Sequence, residues 1–461
     1  MKIGGKRVPM REQPSEKRIQ NFDSVPYGYT KEEVIQEARR CIQCEGGPCE
    51  THCPVSMNIK KMIREIVRGR FEEAFFTMKK DNPVPGITGR VCPQESQCEG
   101  VCPFHQTKNG INIGKLEAFV ADWAMERGIK EEFHIKEKPQ KIAVIGSGPA
   151  GISCAVDLRK WGYKVTLFEA LHKAGGVLQY GIPEFRLPKK VVDYEVSYLS
   201  EVGVDVRLNT FVGQNITFEE LRRDYDAVFI GTGAGAPLFL RIAGEELKGV
   251  YSANEFLIRV NLMKSYRFLE YDTPIVCGKR VGVIGAGNVA MDAARCARRL
   301  GAEEVHIIYR RTQKESPARE EEIQHALEEG VWLKELVSPK KAEGSSEGWL
   351  EELELYRMKL TEADQSGRPR PVKIEDSEFR MELNTLIEAL GTTPNRLFLN
   401  RASELEVNQR QLIEVDENMK TNIEGIYAGG DAIRGNATVI LALGDGRKAA
   451  QAIHEYLSEE S

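Results

Sequence analysis

Seven cysteines lie close together between residues 41 and 102, and only three of the ten lie beyond. They form two groups, with Cys-Pro steps at residues 53, 92 and 102. The members are Cys41, Cys44, Cys49 and Cys53 in the first group and Cys92, Cys98 and Cys102 in the second. Close spacing lets several thiolates converge from one loop, and short runs ending in Cys-Pro are typical of loops that hold cubane iron–sulfur clusters. The pattern therefore predicts two four-iron clusters.

Two other uses of these cysteines fit less well. Structural zinc usually takes paired C-x2-C knuckles, and only Cys41 and Cys44 form one. Disulfides are disfavoured because a large intracellular enzyme sits in a reducing compartment and because seven is an odd number. Seven thiolates also leave two four-iron clusters one ligand short. A carboxylate would complete the set, and Glu117 is our candidate, although spacing alone does not single it out.

A glycine-rich turn follows the apolar run 142–145 and precedes a helical pattern. Its residues Gly146, Gly148 and Gly151 match G-x-G-x-x-G. In that motif the first glycine permits a tight turn, the second lets a pyrophosphate approach the backbone and the third lets helix pack on strand. Glu169 follows the next strand, where an acidic residue binds ribose hydroxyls. Together these features predict a dinucleotide site, and a turn without a ligand is the weaker interpretation.

A distant segment, 422–450, favours FAD over NAD at this site. There a strand ends at Gly430 and Asp431, and the carboxylate suits a ribityl or pyrophosphate hydroxyl. A helix begins near Ala437, and its positive end would stabilise negative charge on a reduced flavin. Beyond the first turn, the residues expected to bind FAD are Glu169, Gly175, Gly176, Gly231, Gly430, Asp431, Ala437, Thr438 and Val439.

A second turn of the same kind occurs later and predicts an NADP(H) site. After the strand that follows it, Arg310 and Arg311 stand where an NAD enzyme often carries an acid. Two guanidinium groups can clamp a 2′-phosphate, although a solvated charge pair at a strand end is the alternative. Asn288 and Asp292 could reach the pyrophosphate or buttress the turn. The turn residues are Gly285, Gly287 and Ala290.

The 461 residues suffice for about three domains. Residues 1–134 hold the clustered cysteines and helical patterns, so we expect a small helical domain built around something other than a large apolar core. Residues 135–246 and 394–461 form the expected FAD domain, interrupted by an NADP(H) domain at 247–393. The predicted fold class is α/β, with the helical iron–sulfur domain followed by two Rossmann-like domains. Hairpin loops are expected in the NADP(H) domain, at 343–349 and 363–370.

The composition is that of a folded protein, with 41% hydrophobic and 29% charged residues. A net charge of -5 gives no basic surface of the kind that nucleic acid or an anionic membrane requires. The amino terminus is basic but has no apolar run behind it, and no stretch reaches the length of a membrane span. We therefore expect a cytoplasmic protein that binds neither nucleic acid nor membrane.

The cysteine pattern, the segment 89–102 and the run 111–119 resemble the amino-terminal domain shared by glutamate synthase small subunits and dihydropyrimidine dehydrogenase. The loop 175–189 resembles that family's loop beside the flavin ring, and 389–395 resembles its return link to the FAD domain. The resemblance covers essentially the whole chain. It implies that each cluster is shared between the two cysteine groups. The implied ligand sets are Cys41, Cys44, Cys49 and Cys102 for one cluster and Cys53, Cys92, Cys98 and Glu117 for the other.

The resemblance implies an NADPH-dependent flavin and iron–sulfur oxidoreductase subunit. A flavin accepts two electrons together and releases them singly, so no nucleophile or acid–base pair of the protein is expected to be catalytic. The implied partner is a glutamate synthase large subunit.

Two alternative functions remain open from the sequence. The segment 10–41 also looks like the large subunit of the electron-bifurcating NADH-dependent reduced ferredoxin:NADP oxidoreductase and like sulfide dehydrogenases. In that case the partners would be ferredoxin and a ferredoxin-reductase-like flavoprotein. A self-contained disulfide reductase is less favoured, because Cys154 and Cys296 are isolated.

Overall fold

The amino-terminal part of the chain, which carries both cysteine groups, is helical. The computed structural model describes residues 5–363 and 367–459. The helices of this part are α1 (Ser15–Arg18), α2 (Lys31–Ala38), α3 (Pro48–Thr51), α4 (Ile59–Val67), α5 (Phe71–Lys79), α6 (Pro85–Val91) and α7 (Ile113–Glu126). Short 3-10 turns at Gln94–Ser96 and His105–Thr107 lie in the loop that joins α6 to α7.

Helix α4 shows how the sequence builds this part. Asn58 caps the helix, because its side-chain oxygen accepts the amide of Lys61 at 3.1 Å. The apolar residues of α4 recur every three or four positions and are at most 1% exposed, namely Ile59, Met62, Ile63 and Ile66. They belong to a buried apolar cluster that continues into the following domain. The expectation of a helical domain without a large apolar core was therefore wrong.

The first parallel sheet has the nucleotide-binding arrangement. Its strands are β1 (Lys141–Ile145), β2 (Lys164–Phe168), β3 (Asp205–Arg207), β4 (Ala227–Ile230) and β16 (Ile426–Ala428), in the order β16-β4-β1-β2-β3. Strand order reverses at β1, and ligands of open parallel sheets bind beyond the carboxyl ends of strands at such a reversal. The surrounding helices are α8 (Pro149–Lys160), α9 (Val177–Tyr180), α10 (Lys189–Val202), α11 (Phe218–Asp224), α16 (Asp431–Arg434) and α17 (Val439–Glu459).

The second parallel sheet repeats this topology. Its strands are β6 (Val250–Ser252), β7 (Arg280–Ile284), β8 (Glu304–Tyr309), β9 (Val331–Glu335) and β14 (Thr385–Glu388), in the order β6-β14-β7-β8-β9. Its helices are α12 (Ala253–Leu257), α13 (Asn288–Arg299) and α14 (Glu320–Glu328), and α12 continues into a π-helical turn at Ile258–Leu262. The α/β class with two Rossmann-like sheets after a helical part agrees with the prediction.

Antiparallel strands lie between β9 and β14. They are β10 (Val337–Gly344), β11 (Leu350–Ala363), β12 (Pro369–Lys373) and β13 (Phe379–Glu382), and β11 pairs with the other three. The predicted loop at 343–349 joins β10 to β11. The other predicted hairpin loop, 363–370, includes residues 364–366, which lie outside the described residues.

A short antiparallel pair marks where the chain passes between the two parallel sheets. Strand β5 (Ala236–Pro237), on the way to the second sheet, pairs with β15 (Thr392–Thr393), on the way back. Helix α15 (Arg396–Leu399) follows β15.

A buried ion pair joins the helical part to the first sheet's domain. Lys79 at the end of α5 lies 3.1 Å from Glu195 on α10, and their side chains are 3% and 1% exposed. Lys79 Nζ also donates to the carbonyl oxygen of Pro83, and Glu195 accepts the amide of Gly86, both at 2.5 Å. The pair therefore fixes how α5 and α6 lie on α10.

Lys79→Met should lower the free energy of unfolding by about 3–5 kcal/mol, because it leaves Glu195 buried without its cation. Urea unfolding followed by circular dichroism measures the loss. The double variant Lys79→Met/Glu195→Gln should recover part of it, since a neutral amide can still accept from Gly86. Arg207→Met removes an exposed ion pair with Asp205 and should cost less than about 1 kcal/mol. Equally small losses of unfolding free energy in Lys79→Met and Arg207→Met would contradict the proposed role of the buried Lys79–Glu195 pair.

Candidate functional site

The first glycine-rich turn joins β1 to α8. Gly146 has φ +95°, and a Cβ there would lie 2.4 Å from the carbonyl oxygen of Gly231. A Cβ on Gly151 would lie 1.9 Å from the carbonyl oxygen of Gly146. A Cβ on Gly148 would meet no described atom within 4 Å. The turn is thus packed against protein at both ends and open at its middle glycine, as a backbone that receives a pyrophosphate must be.

Glu169 follows β2, and its carboxylate binds this turn. Its Oε2 accepts the amide of Ser147 at 3.0 Å and also the Ser147 hydroxyl, while its Oε1 accepts the amide of Leu171 at 2.8 Å. The Ser147 oxygen in turn accepts the amide of Gly175 at 2.9 Å. Sequence reasoning missed Ser147, which is fully buried and ties three segments together. Its place between two glycines of the motif was the available signal.

The loop with Gly175 and Gly176 covers the turn. Both residues have positive φ, +122° and +53°, and a Cβ on Gly176 would lie 3.0 Å from the Cα of Gly148. Tyr180, at the end of α9, was not anticipated from the sequence. Burial raises its pKa to about 12, and the carboxylates of Glu169 and Asp431 add to the increase. Tyr180 therefore lies near both acids that were expected to bind FAD.

Asp431 begins α16, two glycines beyond the end of β16, and its Oδ1 accepts the amide of Ala437 at 2.7 Å. Burial raises the pKa of its carboxyl to about 6. Helix α17 begins at Val439, two residues beyond the predicted start, and Thr438 caps it by accepting the amide of Leu441 at 3.3 Å. Residues 437–439 are only partly buried. The positive end of α17 is thus accessible beside Asp431 and favours negative charge there.

These features fit a flavin dinucleotide. Cβ atoms built on Gly233 and Gly235, which follow β4, would meet no neighbour within 4 Å in the described part of the chain, just as at Gly148. An open strip lined by glycine therefore runs along the carboxyl ends of β1 and β4. Gly231 itself is buried under the turn, where its missing side chain lets β1 and β4 end close together.

The second glycine-rich turn joins β7 to α13 and repeats the first. Gly285 has φ +115°, and a Cβ there would lie 2.5 Å from the carbonyl oxygen of Ala389. Ala290 is completely buried where helix meets strand. A Cβ on Gly287 would have Pro317 as its neighbour, at 3.9 Å. The middle of this turn is again open, which suits a second dinucleotide.

Asn288 and Asp292 bind protein groups behind the turn. The Asn288 Oδ1 accepts the amide of Arg319 at 3.0 Å. The Asp292 Oδ2 accepts Arg186 Nη1 at 2.6 Å, and burial raises the pKa of Asp292 to about 6. These residues were expected either to reach the pyrophosphate or to buttress the turn. The contacts of both side chains are of the second kind.

The two arginines expected at the 2′-phosphate differ in environment. Arg310 is exposed just beyond β8. Arg311 is 4% exposed, and its Nε donates to the carbonyl oxygen of Pro369 in β12 at 2.9 Å. Its own carbonyl oxygen accepts the amide of Leu336 at 3.1 Å. Arg311 therefore holds the antiparallel strands to β8, and Arg310 is the guanidinium that a phosphate in solution can reach.

The fold brings the two cysteine groups together. Burial raises the pKa of Cys41, and the thiols of Cys44 and Cys102 raise it further. The pKa of Cys49 rises to about 12 through burial, through nearby Glu50 and through Cys41 and Cys44. One neighbourhood, called the outer thiol set, therefore consists of Cys41, Cys44, Cys49 and Cys102.

A second neighbourhood, the inner thiol set, consists of Cys53, Cys92, Cys98 and Glu117. Burial raises the pKa of Cys92, and Glu117, Cys98 and Cys53 raise it further. Burial and Glu99 raise the pKa of Cys98. Glu117 and Cys53 of the same set raise it further, as does Cys49 of the outer thiol set. The two sets thus adjoin, and they correspond to the ligand sets that the resemblance implies. Buried groups that repel one another as anions cannot all ionise without a nearby cation, which suits iron.

Glu117 on α7 is 5% exposed. Its Oε1 accepts Asn82 Nδ2 at 2.9 Å and the hydroxyl of Thr88. Burial raises the pKa of its carboxyl to about 8, so a metal cation would be needed to keep it ionised at neutral pH. Both hydrogen bonds fall on Oε1 and orient the group, which suits Oε2 to a ligand role.

The loops after Cys41 and Cys53 turn tightly. Gln43 and Ser56 have positive φ, +53° and +51°, in the loops that follow Cys41 and Cys53. Gln43 Nε2 donates to the Cys41 sulfur at 3.4 Å. Such N–H donors to sulfur are among the features that set the potential of an iron–sulfur cluster.

The inner thiol set lies against the helix that begins beside Asp431. A Cβ on Gly444 of α17 would lie 2.9 Å from the carbonyl oxygen of Pro54. Arg447 of the same helix donates through Nη1 to the carbonyl oxygen of Val55 at 3.2 Å and through Nε to Asp157 of α8 at 3.1 Å. The loop after Cys53 is therefore fastened to the domain of the first sheet.

The other three cysteines are isolated. Cys154 on α8 and Cys296 on α13 are buried, and burial raises the pKa of each thiol. Burial also raises the pKa of Cys277 to about 12. All ten cysteines lie in the described residues and are unpaired. In the described residues none of these three thiols is paired, whereas a disulfide reductase on this scaffold uses a redox-active cysteine pair.

Two family models match the sequence. The model described as pyridine nucleotide-disulphide oxidoreductase matches residues 140–446. The model described as dihydropyrimidine dehydrogenase domain II, 4Fe-4S cluster, matches residues 18–129. Fold and site thus define a pyridine nucleotide oxidoreductase joined to an iron–sulfur domain.

Relatives extend this match over nearly the whole chain. The glutamate synthase [NADPH] small chain of Azospirillum brasilense is 36% identical, with 98% of this chain and 94% of that protein covered. Its counterpart from Escherichia coli (strain K12) is 34% identical, with 98% and 97% covered. The NADP(+)-dependent formate dehydrogenase subunit beta of Moorella thermoacetica is 38% identical, with 89% and 60% covered. The chain belongs to the family of glutamate synthase small chains.

Solved structures show the same fold. FprA of Mycobacterium tuberculosis in complex with NADPH matches with a TM-score of 0.59 and 20% identity, covering 70% of this chain and 85% of that chain. Family membership confirms the expectation of an NADP-dependent flavin and iron–sulfur oxidoreductase subunit that works with a partner subunit. It also confirms the expected cofactors, FAD, NADP(H) and 4Fe–4S clusters. Across residues 5–363 and 367–459, no helix combines the length and hydrophobicity needed to cross a bilayer.

Arg310→Ala should weaken NADP⁺ binding about tenfold or more and leave NAD⁺ binding nearly unchanged, because hydrogen bonds to a charged phosphate contribute about 1.5–3 kcal/mol. Calorimetric titration with each nucleotide measures both dissociation constants. Arg280→Ala removes another exposed arginine, at the opposite end of neighbouring β7, and should change neither constant. Equal losses for the two nucleotides in Arg310→Ala would refute the phosphate contact.

Glu117→Ala should eliminate or alter one cluster and spare the other, lowering iron from about eight toward about four per chain. Iron and sulfide analysis with electron paramagnetic resonance of the reduced protein measures this change. Asp122→Ala, on the same helix, removes a partly exposed partner of Arg90 and should leave both clusters intact. If both clusters are unchanged in Glu117→Ala, Glu117 is not a cluster ligand.

Proposed function

We propose that this chain passes electrons from NADPH to a glutamate synthase large subunit. When bound, FAD would supply the chemistry that accepts a hydride from NADPH and releases electrons one at a time, and the two [4Fe–4S] clusters held by the thiol sets would carry single electrons. The observation that carries the proposal is the contact between the Cys53 loop and α17, because it joins the inner thiol set to the helix that begins beside Asp431. No protein side chain takes part covalently.

Each part of the chain has a binding role in this proposal. The turn Gly146–Gly151 and Glu169 hold the pyrophosphate and ribose of FAD, and Asp431 with the start of α17 holds its flavin end. The second turn and Arg310 hold NADP(H). The cluster ligands are the outer thiol set and the inner thiol set. The corresponding domains are residues 1–134, 135–246 with 394–461, and 247–393.

Burial sets the order of the clusters. The inner thiol set has three buried members, Cys92, Cys98 and Glu117, and one partly exposed member, Cys53. All four members of the outer thiol set are partly exposed. Ile42, beside the outer thiol set, is 42% exposed. We infer that the inner thiol set would hold the cluster on the FAD side and the outer thiol set the cluster on the side of the partner subunit.

The choice of partner rests on the extent of the matches. The sequence aligns with 94% and 97% of two glutamate synthase small chains. It aligns with 60% of the formate dehydrogenase subunit and 64% of the NADPH-Fe(3+) oxidoreductase subunit beta of Geobacter sulfurreducens. We therefore prefer the glutamate synthase partner to a ferredoxin-reductase-like flavoprotein with ferredoxin. We also propose a cytoplasmic location, where thiols stay reduced.

Cys44→Ala should leave the reduction of FAD by NADPH unchanged and lower turnover with the partner subunit at least a hundredfold, because it removes a ligand of the outer cluster. Stopped-flow absorbance of the flavin and steady-state glutamate formation measure the two steps. The complex is purified anaerobically from the native host, which also identifies the partner. Cys277→Ala, far from both sets in sequence, is the matched control. Undiminished turnover in Cys44→Ala, or co-purification with a ferredoxin-reductase-like chain, would overturn the proposal.

A further inference from the structure

Arg319 connects the second sheet's domain to the inner thiol set. It precedes α14 and is 8% exposed. Its Nε donates to Glu95 Oε1 at 2.9 Å, and its Nη2 donates to Glu95 Oε2 and to Gln94 Oε1, both at 3.1 Å. Gln94 and Glu95 lie in the loop between Cys92 and Cys98. The guanidinium therefore binds the loop that carries Cys92 and Cys98 of the inner thiol set.

The segment that contains this arginine also forms hydrogen bonds with the second nucleotide turn. The Arg319 amide donates to Asn288 Oδ1 at 3.0 Å, and Asn288 directly follows the open Gly287. Ser316 Oγ donates to the carbonyl oxygen of Ala286 at 2.6 Å. Segment 316–319 is thus fastened on both sides of Gly287, where a nucleotide phosphate would lie.

The charge of Arg319 acts on the inner thiol set. Its guanidinium binds Gln94 and Glu95, which lie two and three residues after Cys92. The facing acids are Glu95 and Glu321, the latter 3.2 Å from Arg319 and also 3.1 Å from Lys115. Glu95 is 39% exposed while the arginine side chain is 8% exposed, so solvent weakens the field of the acid more than that of the cation.

We propose that Arg319 is a positioning residue that couples nucleotide binding at the second turn to the reduction potential of the inner cluster. A nearby cation favours the more negative, reduced form of a cluster and so raises its potential. A phosphate at Gly287 shifts segment 316–319 and with it this charge. Because coupling between two sites is reciprocal, reduction of the inner cluster changes nucleotide affinity by the same factor. The inference rests on the ligand sets and the nucleotide site proposed above.

The test is a redox titration of the cofactor-loaded chain followed by electron paramagnetic resonance, with and without 2′,5′-ADP, a redox-inactive probe carrying two phosphates. In the native chain the probe should shift the midpoint potential of one cluster. Arg319→Gln should lower that potential and abolish the shift, and leave the other cluster unchanged. Arg319→Lys should keep most of the potential but lose the shift, because an ammonium cannot bind Gln94 and Glu95 as a fork.

Arg18→Gln is the matched control. Arg18 is also buried and pairs with Glu12 and with Glu328 at the far end of α14, both at 2.8 Å, but it does not bind the cysteine loop. It should leave both potentials and the shift intact. An unchanged shift in Arg319→Gln, or an equal loss in Arg18→Gln, would overturn the proposal.

Measuring the iron and sulfide content distinguishes failure of the proposed function from failure of the role of Arg319. A native chain that lacks iron and sulfide after reconstitution refutes the proposed function itself. A fully loaded Arg319→Gln with native potentials refutes only the role of Arg319. If Arg319→Gln does not fold, Glu95→Gln weakens the same contact from its partly exposed side, and the proposal then requires a smaller shift in that variant.

Discussion

The arrangement of the redox groups depends on how closely one loop can lie on one helix. Gly444 of α17 faces the carbonyl oxygen of Pro54, and a Cβ there would come within 2.9 Å of that oxygen. Any larger residue would push the loop after Cys53 away from the helix. Gly444 lies five residues beyond the start of α17, or roughly 7.5 Å along its axis. A single missing side chain therefore sets the separation between the inner thiol set and the end of α17 beside Asp431.

Buried charge fixes the other contacts between the three parts of the chain. Lys79 and Glu195 join the helical part to the first sheet's domain, and Arg319 and Glu95 join it to the second. Arg186, from the loop beside the first turn, lies 2.6 Å from Asp292 of α13. Buried ion pairs add little net stability, because desolvation offsets attraction, but they penalise any arrangement that separates the partners. They suit a molecule whose cofactors must keep fixed distances.

The glycines and thiols of the candidate site could be predicted because their chemistry demands particular residue types at particular spacings. The carboxylate of Glu117 could not be found in that way, since its orientation comes from Asn82 and Thr88 on another segment. The difference in exposure between Arg310 and Arg311 could not be predicted from the sequence either. Strand β8 is buried on both faces for most of its length, so alternation gives no signal, and Arg311 is covered by a strand from 58 residues later.

The core and the bridging residues were missed for a related reason. The clustered cysteines of residues 1–134 suggested a domain built around something other than a large apolar core, but its helices share one cluster with α8, α10 and α17. Arg319 lies in a polar stretch that has no motif, and only the fold places it between a nucleotide turn and a cysteine loop. Contacts between domains leave no periodic trace in a sequence.

The proposed order of the clusters has an energetic basis in the same packing. Reduction adds negative charge to a cluster, and burial disfavours that charge. Of the two sets, the inner one is more buried and also includes the carboxylate, so its cluster would be the harder to reduce. As proposed above, the charge of Arg319 would counteract this penalty and make the inner cluster easier to reduce. In the proposed order the partly exposed outer thiol set would hold the cluster that is easier to reduce, at the surface where a partner subunit could take the electrons.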